Sequence, residues 1–275
     1  MLKPRFVEIL ESSLGLEKGH RIFTSLEGEN PGGSIKDHMV LGELQQLQKL
    51  KSAGFKGVSE VSAGSTALSL AYYSRQLGMP CVLFVPMTAS ADIVARLQAH
   101  GAEVHQEDLS VIYEKYDQVM AMRPELFRFN QLYDEGKRRH YHAFGHAVKN
   151  TLGPMDAVIG AVGTGHSLRG IGEGIDKNLK TITAEPDESH KIPGVRNILL
   201  NRYGDQDTLS AAYFLQRITV AKQSLSEFKS LRTDKGEIEV GLSFSLVLAA
   251  LKTYLVDKTE QKIFTVGAAN KSVKL

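Results

Sequence analysis

Short apolar runs alternate with amphipathic stretches along most of the 275-residue chain. Continuous runs such as 81–85 and 156–162 are rich in β-branched and aliphatic residues, which is typical of strands buried on both faces of a parallel sheet. The stretches between them carry apolar residues at helical spacing. Because parallel strands need crossover connections, which are usually helices, this alternation predicts an α/β architecture.

The predicted elements form two series of strand–helix units. The predicted strands are 20–26, 58–61, 81–85, 103–106, 127–130, 156–162, 181–184, 216–221 and 263–266. The predicted helices are 39–50, 67–77, 89–100, 112–122, 142–152, 168–175, 224–232 and 242–256, and residues 185–198 are predicted to be irregular. Two series indicate two doubly wound sheet domains. We expect a smaller α/β domain at 38–140 and a larger one formed by 1–37 plus 141–275, with the active site in the cleft between them.

The turn before the first long helix places a lysine in an unusual position. Asn30-Pro31-Gly32-Gly33 is strong turn chemistry, since proline presets one φ and glycine accepts backbone angles that side chains forbid. Lys36 therefore lies just past a tight turn, at the start of a helix, where the helix dipole disfavours positive charge. Such a lysine is either solvated at the surface or has a lowered pKa, and an amine that loses its proton easily can attack a carbonyl.

A second turn, Gly163-Thr164-Gly165-His166-Ser167, follows a predicted strand and precedes a predicted helix. The free N–H groups of a helix N-terminus attract anions, two glycines permit close backbone approach, and Thr164 and Ser167 add hydroxyl donors. The turn lacks the third glycine of the dinucleotide fingerprint at its usual offset. A phosphate cradle, a tight packing turn and a nucleotide-binding module all remain open at this point.

Composition and charge narrow the class of protein. Hydrophobic residues at 42% and charged residues at 23% are ordinary globular values, and a formal net charge of +2 is too small to indicate a nucleic-acid or membrane partner.

Cys81 cannot form an internal disulfide and falls in a predicted strand, so we expect a buried thiol. His140 and His142 are interpreted as loop or packing residues rather than metal ligands. Without a signal-peptide core or an apolar span of about 18 residues, a cytoplasmic protein is expected.

The stretch 26–37, Leu-Glu-Gly-Glu-Asn-Pro-Gly-Gly-Ser-Ile-Lys-Asp, resembles the lysine loop of fold-type II pyridoxal-phosphate enzymes, the cysteine synthase and cystathionine β-synthase family. The resemblance implies that pyridoxal 5'-phosphate is bound to Lys36 as a Schiff base. It also implies that the larger domain binds the cofactor, with Gly163, Thr164, Gly165, His166 and Ser167 at its phosphate. Members of this family are homodimers, so a homodimer is expected.

Two further segments are similar to substrate-binding segments of that family. Ser62-Ala63-Gly64-Ser65-Thr66 resembles a Thr-Ser-Gly-Asn-Thr loop, and residues 131–145 are similar to a segment that begins with glutamine. The resemblance implies that the ligands of the substrate carboxylate are Ser62, Ala63, Gly64, Thr66 and Gln131. Ser65 stands where the family has the asparagine that touches the cofactor's ring oxygen. A purely structural helix cap at Ser62 or Ser65 is the alternative.

The remaining resemblance concerns the rim of the active site, formed by residues 185–195, and the residues beside the ring of the cofactor. Residues 185–195 are similar to a Glu-Pro-x-x-Ser…His-Lys-Ile-Gln-Gly-Ile segment, and 241–245 stand where the family has Gly-Ile-Ser-Ser-Gly, which implies a cofactor contact at Gly241. The serine or threonine that the family places at the pyridine nitrogen matches Ala268 or Ala269. With no hydrogen-bonding side chain there, Asn270 or water would have to set the electronics of the ring.

The resemblance implies β-replacement on a serine-derived amino acid, in which sulfide or another nucleophile adds to aminoacrylate. Lys36 would also remove the α-proton as general base. Three alternatives stay open: β-elimination by a serine or threonine dehydratase or a cysteine desulfhydrase, a catalytically altered homologue without enzymatic activity, and the nucleotide-binding module. The expected partners are a small amino acid and a thiol or other nucleophile.

Overall fold

The computed structural model of the protein describes residues 2–49, 54–201 and 209–272. The strands are β1 (Phe6–Ile9), β2 (Arg21–Ser25), β3 (Gly57–Val61), β4 (Cys81–Pro86), β5 (Glu103–Glu107), β6 (Leu126–Arg128), β7 (Ala157–Ala161), β8 (Lys180–Pro186), β9 (Gln216–Val220), β10 (Ser230–Thr233), β11 (Gly236–Glu239), β12 (Lys262–Val266) and β13 (Lys271–Ser272). The α-helices are α1 (Lys36–Lys49), α2 (Ser65–Gln76), α3 (Ala91–Ala99), α4 (Ile112–Met122), α5 (His142–Leu152), α6 (His166–Ile175) and α7 (Leu242–Leu255). Short 3₁₀ helices cover Glu11–Leu14, Glu27–Glu29, Glu135–Tyr141, Ala211–Tyr213 and Lys222–Glu227.

The backbone divides into two compact units, the first of which covers Pro31–Asp134. Its four strands are all parallel, in the order β5-β4-β3-β6. In β4, Val82 and Phe84 pack against α4, and the intervening Leu83 and Val85 are fully buried on the other face. The sheet is therefore covered on both faces, as the continuous apolar run of β4 predicts.

The second unit covers Leu2–Asn30 and Glu135–Leu275. Its described strands form one mixed sheet in the order β13-β11-β10-β1-β2-β12-β7-β8-β9. From β2 through β12 to β9 the neighbours are parallel, whereas β1, β10, β11 and β13 add an antiparallel edge. The expectation that the early residues join the second sheet is confirmed by β1 and β2.

Alternate residues of the larger sheet contact helices on opposite faces. Ile263 of β12 belongs to the apolar cluster that contains most of α7. The next residue, Phe264, meets Phe144 of α5 edge-on at 5.9 Å between ring centroids, and Phe6 of β1 meets the same two rings. Because successive side chains of a strand point to opposite faces, both faces carry helices and the doubly wound α/β prediction is confirmed.

One predicted helix is wrong. Residues 224–232 fold as the end of a 3₁₀ helix followed by β10, which pairs antiparallel with β1 and β11. Leu225, Phe228 and Leu231 have helical spacing, but all three are buried in the large apolar cluster from a non-helical backbone. Gly236, at a φ of 111°, makes the tight β10–β11 hairpin possible, and the sequence prediction missed β11.

Other boundaries differ by a few residues. Helix α1 begins at Lys36, three residues before the start predicted from apolar spacing and at the position that the turn chemistry indicates. Its predicted end at Leu50 lies outside the described residues. Cys81 is buried in β4 as a free thiol, and burial raises its pKa to about 12, which agrees with the predicted inert strand thiol.

Within the described part of the chain, no helix combines the length and the apolar character needed to cross a bilayer. The domain limits expected from the sequence, a smaller domain at 38–140 and a larger one formed by 1–37 plus 141–275, stay a prediction. The structure assigns Lys36 to the compact unit Pro31–Asp134.

Candidate active site

Lys36 is the first residue of α1, as the turn chemistry predicts. The hydroxyl of Ser34 accepts the main-chain N–H of Lys36 at 3.2 Å, so the turn itself helps to cap the helix. Burial lowers the pKa of Lys36 from its usual 10.5 to about 8, although part of the side chain remains exposed. A neutral amine is thus accessible near physiological pH, which is the form that attacks a carbonyl.

Asp37 fixes the lysine turn to a neighbouring helix. Its fully buried carboxylate accepts the N–H of Gly32 at 2.6 Å, the hydroxyl of Tyr73 at 3.2 Å and a short hydrogen bond from Ser69. Burial raises the pKa of Asp37, while these donors act against that shift. A Cβ at Gly32 would lie 2.2 Å from Asp37 Oδ1, so only glycine fits there. Asp37 therefore sets where Lys36 stands relative to α2.

The loop before α2 carries the predicted ligands of the substrate carboxylate. Gly64 is the N-cap of α2 and has no side chain to cap the first-turn N–H groups. Ser65 is the first helical residue and is exposed, so the alternative of a structural cap at Ser65 is wrong. Ser62 is half-buried and accepts only a long 3.4 Å bond from the N–H of Gly64. Uncapped N–H groups beside small residues form a surface to which a carboxylate can bind.

Gln131 is brought to the same end of the sheet. It follows β6 and is 8% exposed, and its Oε1 accepts the Thr66 hydroxyl at 2.5 Å. The amide oxygen is therefore directed at Thr66, and Nε2 is the donor end of the Gln131 side chain. Thr66 donates its one hydroxyl proton to Gln131, so it orients Gln131 rather than donating directly to a ligand. Ala63, beside them, is half-buried and contributes only main-chain groups.

The second unit contains the predicted phosphate turn. Gly165 is the N-cap of α6 with a φ of 81°, and a Cβ there would lie 2.6 Å from Leu209. His166 is buried, and its N–H reaches the Thr164 hydroxyl at the long distance of 3.5 Å. Ser167 lies in the first turn of α6 and is half-buried. Helix N–H groups, a glycine backbone and hydroxyls together form a donor set suited to phosphate.

The segment after β12 is predicted to face the cofactor ring. Ala268 and Ala269 are exposed and have no polar side-chain atom. The Nδ2 of Asn270, which is 2% exposed, donates to Thr24 Oγ1 at 3.2 Å. The Asn270 side chain is therefore bonded to β2, and Ala269 itself carries no side-chain group that can form a hydrogen bond. Gly241, the N-cap of α7, is exposed as well.

The irregular segment after β8 is anchored by a buried carboxylate. Glu185 is fully buried and accepts the Thr183 hydroxyl at 2.5 Å and the N–H of Ile198 at 3.0 Å. Arg217 of β9 binds it through Nε at 2.8 Å and Nη2 at 2.5 Å, which raises the pKa of Arg217. Farther along, the N–H of Arg196 donates to the carbonyl of Val162, directly before the phosphate turn. The rim segment is thus bonded to both β9 and the turn.

Sequence reasoning missed Asp37, Glu60 and Arg217. Asp37 falls within the quoted lysine loop, but its partners Ser69 and Tyr73 are too distant in sequence to be inferred. Glu60 did leave a signal, because it is a charged residue in a short strand whose other residues are uncharged. Across residues 2–49, 54–201 and 209–272, His, Cys, Asp and Glu side chains form no cluster of three that could hold a metal ion.

The fold and these groups define an α/β protein with a deprotonatable lysine and a glycine-rich anion turn. The chain belongs to the family of pyridoxal-phosphate dependent enzymes, whose family model matches residues 9–252. This confirms the resemblance found in the sequence. The family's cofactor is pyridoxal phosphate.

Individual relatives make the likeness more specific. Cysteine synthase B of Salmonella typhimurium is 28% identical over 194 residues, which cover 66% of this chain and 63% of that protein. The cysteine synthase of Aquifex aeolicus is 26% identical over 191 residues, which cover 64% of this chain and 58% of that protein. The matches therefore span less than two thirds of the length of these curated relatives. A solved hydrogen sulfide-producing enzyme from Fusobacterium nucleatum shares the fold, with a TM-score of 0.79 at 20% identity over 98% of this chain and 94% of that chain.

Each unit, taken by itself, carries groups whose chemistry suits a part of pyridoxal phosphate. Lys36, with its lowered pKa, suits the aldehyde, and the turn of Gly165 suits the phosphate because the N–H groups at the start of α6 and the hydroxyls of Thr164 and Ser167 can donate to it. The fit is incomplete at the pyridine nitrogen, where Ala269 offers no hydrogen bond and Asn270 is bonded to Thr24.

Proposed function

We propose that this protein catalyses β-replacement on a serine-derived amino acid with pyridoxal phosphate. The single observation that carries the proposal is Lys36, whose pKa burial lowers to about 8 at the start of a helix that Asp37 holds in place. Membership in the family and the names of its cysteine synthase relatives support this choice of reaction.

Each group of residues has a proposed task. Lys36 binds the cofactor and then carries the α-proton of the substrate as general base. The N–H groups of 62–66 and the amide of Gln131 bind the substrate carboxylate, which orients the α-C–H bond toward the base. Gly163, Thr164, Gly165, His166 and Ser167 bind the phosphate, and Ser65, Gly241 and Ala269 lie beside the ring. When bound, the cofactor supplies the electron sink that makes the α-proton acidic.

Product analysis tests the reaction. The purified, cofactor-loaded protein is given O-acetylserine with and without sulfide, and cysteine and pyruvate are quantified. Cysteine formation that depends on sulfide and is abolished by Lys36→Ala supports β-replacement. Lys49→Ala, at the opposite end of α1, is the matched control and should leave the rate unchanged.

The same assay distinguishes β-replacement from two alternatives. Pyruvate released at an equal rate with or without sulfide indicates β-elimination instead. A protein that takes up no cofactor and forms neither product contradicts an enzymatic role and leaves the catalytically altered homologue without enzymatic activity. The exposed Ala269, in place of a residue that could bond the pyridine nitrogen, motivates this second alternative.

The assembly and location are proposed from the family resemblance. We expect a homodimer in the cytoplasm. Light scattering coupled to size-exclusion chromatography measures the mass, and a monomeric mass of 30.2 kDa would contradict the homodimer.

A further inference from the structure

Glu60 is a buried carboxylate at the carboxyl end of β3. It is 5% exposed and directly precedes the 61–66 segment, yet none of the predicted roles involves it. Its Oε1 accepts the N–H of Val61 at 2.8 Å, and its Oε2 accepts the N–H of Gln131 at 2.9 Å. A single side chain therefore joins the chain after β3 to the chain after β6.

A carboxylate is well suited to this position. Each of its oxygens can accept, so two main-chain donors that diverge from neighbouring parallel strands are satisfied by one group. Hydrogen bonds to an ionised acceptor are also shorter and stronger than those between neutral groups. The N–H of Gln131 would otherwise be a buried donor in a residue that is only 8% exposed.

Gln131 is held by two hydrogen bonds, one that Glu60 accepts from it and one that Thr66 donates to it. Thr66, 3% exposed, holds the side-chain oxygen of Gln131, whereas Glu60 holds its main-chain nitrogen. With both ends fixed, the Nε2 group of Gln131 has a defined direction. Glu60 cannot itself bind a substrate carboxylate, because two like charges repel, so any effect on binding must pass through Gln131.

We infer that Glu60 is a positioning residue for the carboxylate of the amino-acid substrate and acts through Gln131. The inference rests on the proposed function, because it assumes that Gln131 binds that carboxylate. It assigns to Glu60 a part in substrate affinity, with no direct contact to substrate or cofactor.

The test is a calorimetric titration of the cofactor-loaded protein with L-alanine, which lacks a leaving group, and with ethylamine, which is L-alanine without its carboxylate. In Glu60→Gln the new NH₂ group cannot accept, so one of the two main-chain bonds is lost. We expect the Kd for L-alanine to rise about tenfold, the usual effect of one buried hydrogen bond, and the Kd for ethylamine to stay within about twofold. Ser59→Ala changes the residue before Glu60 in β3 and removes a 2.8 Å side-chain bond to the carbonyl of Val82 in β4. It is the matched control and should change neither Kd.

A double-mutant cycle separates positioning from general damage. If Glu60 acts through Gln131, adding Glu60→Gln to Gln131→Ala weakens L-alanine binding no further. Three outcomes would each overturn the inference. They are losses of L-alanine affinity that add in the double variant, an equal weakening of L-alanine and ethylamine binding in Glu60→Gln, and an unchanged Kd for L-alanine in Glu60→Gln. Should Glu60→Gln fail to fold, Glu60→Asp keeps the charge but cannot reach both N–H groups, and the same outcomes apply. A wild type that binds L-alanine but forms no product from O-acetylserine contradicts the proposed function while leaving the inference on Glu60 open to this titration.

Discussion

The main-chain N–H of Gly28 donates a hydrogen bond of 2.7 Å to the carbonyl oxygen of Asn270. This bond joins the 3₁₀ turn at the start of the lysine loop to the segment after β12, where the ring of the cofactor is predicted to lie. The two residues are 242 positions apart in the chain, and both belong to the second compact unit. The approach is so close that a Cβ at Gly28 would lie 2.4 Å from the carbonyl oxygen of Ala269.

Gly28→Ala should therefore destabilise the protein. The added methyl group overlaps main-chain atoms that cannot rotate away, so we expect the free energy of unfolding to fall by about 1–3 kcal/mol. Urea denaturation followed by circular dichroism measures the change. Gly241→Ala is the control, because among the described residues, apart from the chain neighbours of Gly241, no atom lies within 4 Å of a Cβ there. A loss as large as that of Gly28→Ala would contradict the explanation by close approach.

The pKa of Lys36 predicts how cofactor loading depends on pH. Since the neutral amine attacks the aldehyde, the loading rate should rise with pH and level off above about 8, rather than above the usual 10.5. Stopped-flow absorbance after mixing cofactor-free protein with pyridoxal phosphate gives the rate. Lys36→Ala should remove the lysine-dependent absorbance band, whereas Lys49→Ala should keep both the band and the pH profile. A midpoint of the pH profile of the loading rate near 10.5 would show that burial does not lower the pKa of Lys36.

The same pKa shift has a consequence for stability in the cofactor-free protein. Between pH 8 and 10.5 the unfolded chain binds a proton at Lys36 that the folded chain does not, so the free energy of unfolding rises with pH across this window. Below about pH 8 the folded protein bears the full free-energy cost of burying the protonated Lys36 amine. At neutral pH, Lys36→Met should thus stabilise the protein by about 1–3 kcal/mol, allowing for partial exposure of the side chain. Denaturation at neutral pH and at pH 10 checks this. The gain in the free energy of unfolding from Lys36→Met should be smaller at pH 10, and Lys49→Met should show no such dependence on pH.

Thr66 is predicted to act on substrate affinity by orienting Gln131. Thr66→Val keeps the shape but removes the 2.5 Å hydrogen bond, so the amide of Gln131 can rotate and present its oxygen to the substrate carboxylate. We expect KM for the amino acid to rise about tenfold with a smaller effect on kcat, since the lost contact is made equally before and during the reaction. Steady-state kinetics with O-acetylserine measures both constants. Thr66→Ser, which retains the hydroxyl, should stay near wild type, and a Thr66→Ser variant as impaired as Thr66→Val would contradict this role.

The sequence predicts best the features that depend on local chemistry. The turn 30–33 places Lys36 at a helix start, and the apolar run of β4 predicts a strand covered on both faces, because each is determined by neighbouring residues. The helix predicted at 224–232 is wrong because pairing of β10 with β1, in which Thr233 lies opposite Ile9, outweighs local spacing. No local pattern records a partner more than two hundred residues away.

The supporting polar contacts of the site could not be predicted for a related reason. Asp37, Glu60 and Glu185 are charged residues close to apolar residues in the sequence, and a charged side chain needs partners when it is buried. Which donors satisfy them depends on the packing of α2 on α1 and on the order of the strands. The orientation of Gln131 likewise follows only from its hydrogen bond to Thr66.

The pair formed by Arg217 and Glu185 gives the last prediction. Glu185 is fully buried, so Arg217→Met would leave its carboxylate without its cation in a region of low dielectric constant. We expect the free energy of unfolding to fall by about 3–5 kcal/mol, as for other buried pairs that lose one partner. Thermal and urea denaturation measure the loss, and Arg21→Met is the matched control, because the Arg21–Glu8 pair is exposed and should contribute less than about 1 kcal/mol. Since Glu185 also anchors Ile198, Arg217→Met should loosen the rim segment as well, which hydrogen exchange at 186–198 can detect. Equal losses in the two variants, or unchanged exchange in the rim, would mean that Glu185 does not need Arg217 to hold this segment.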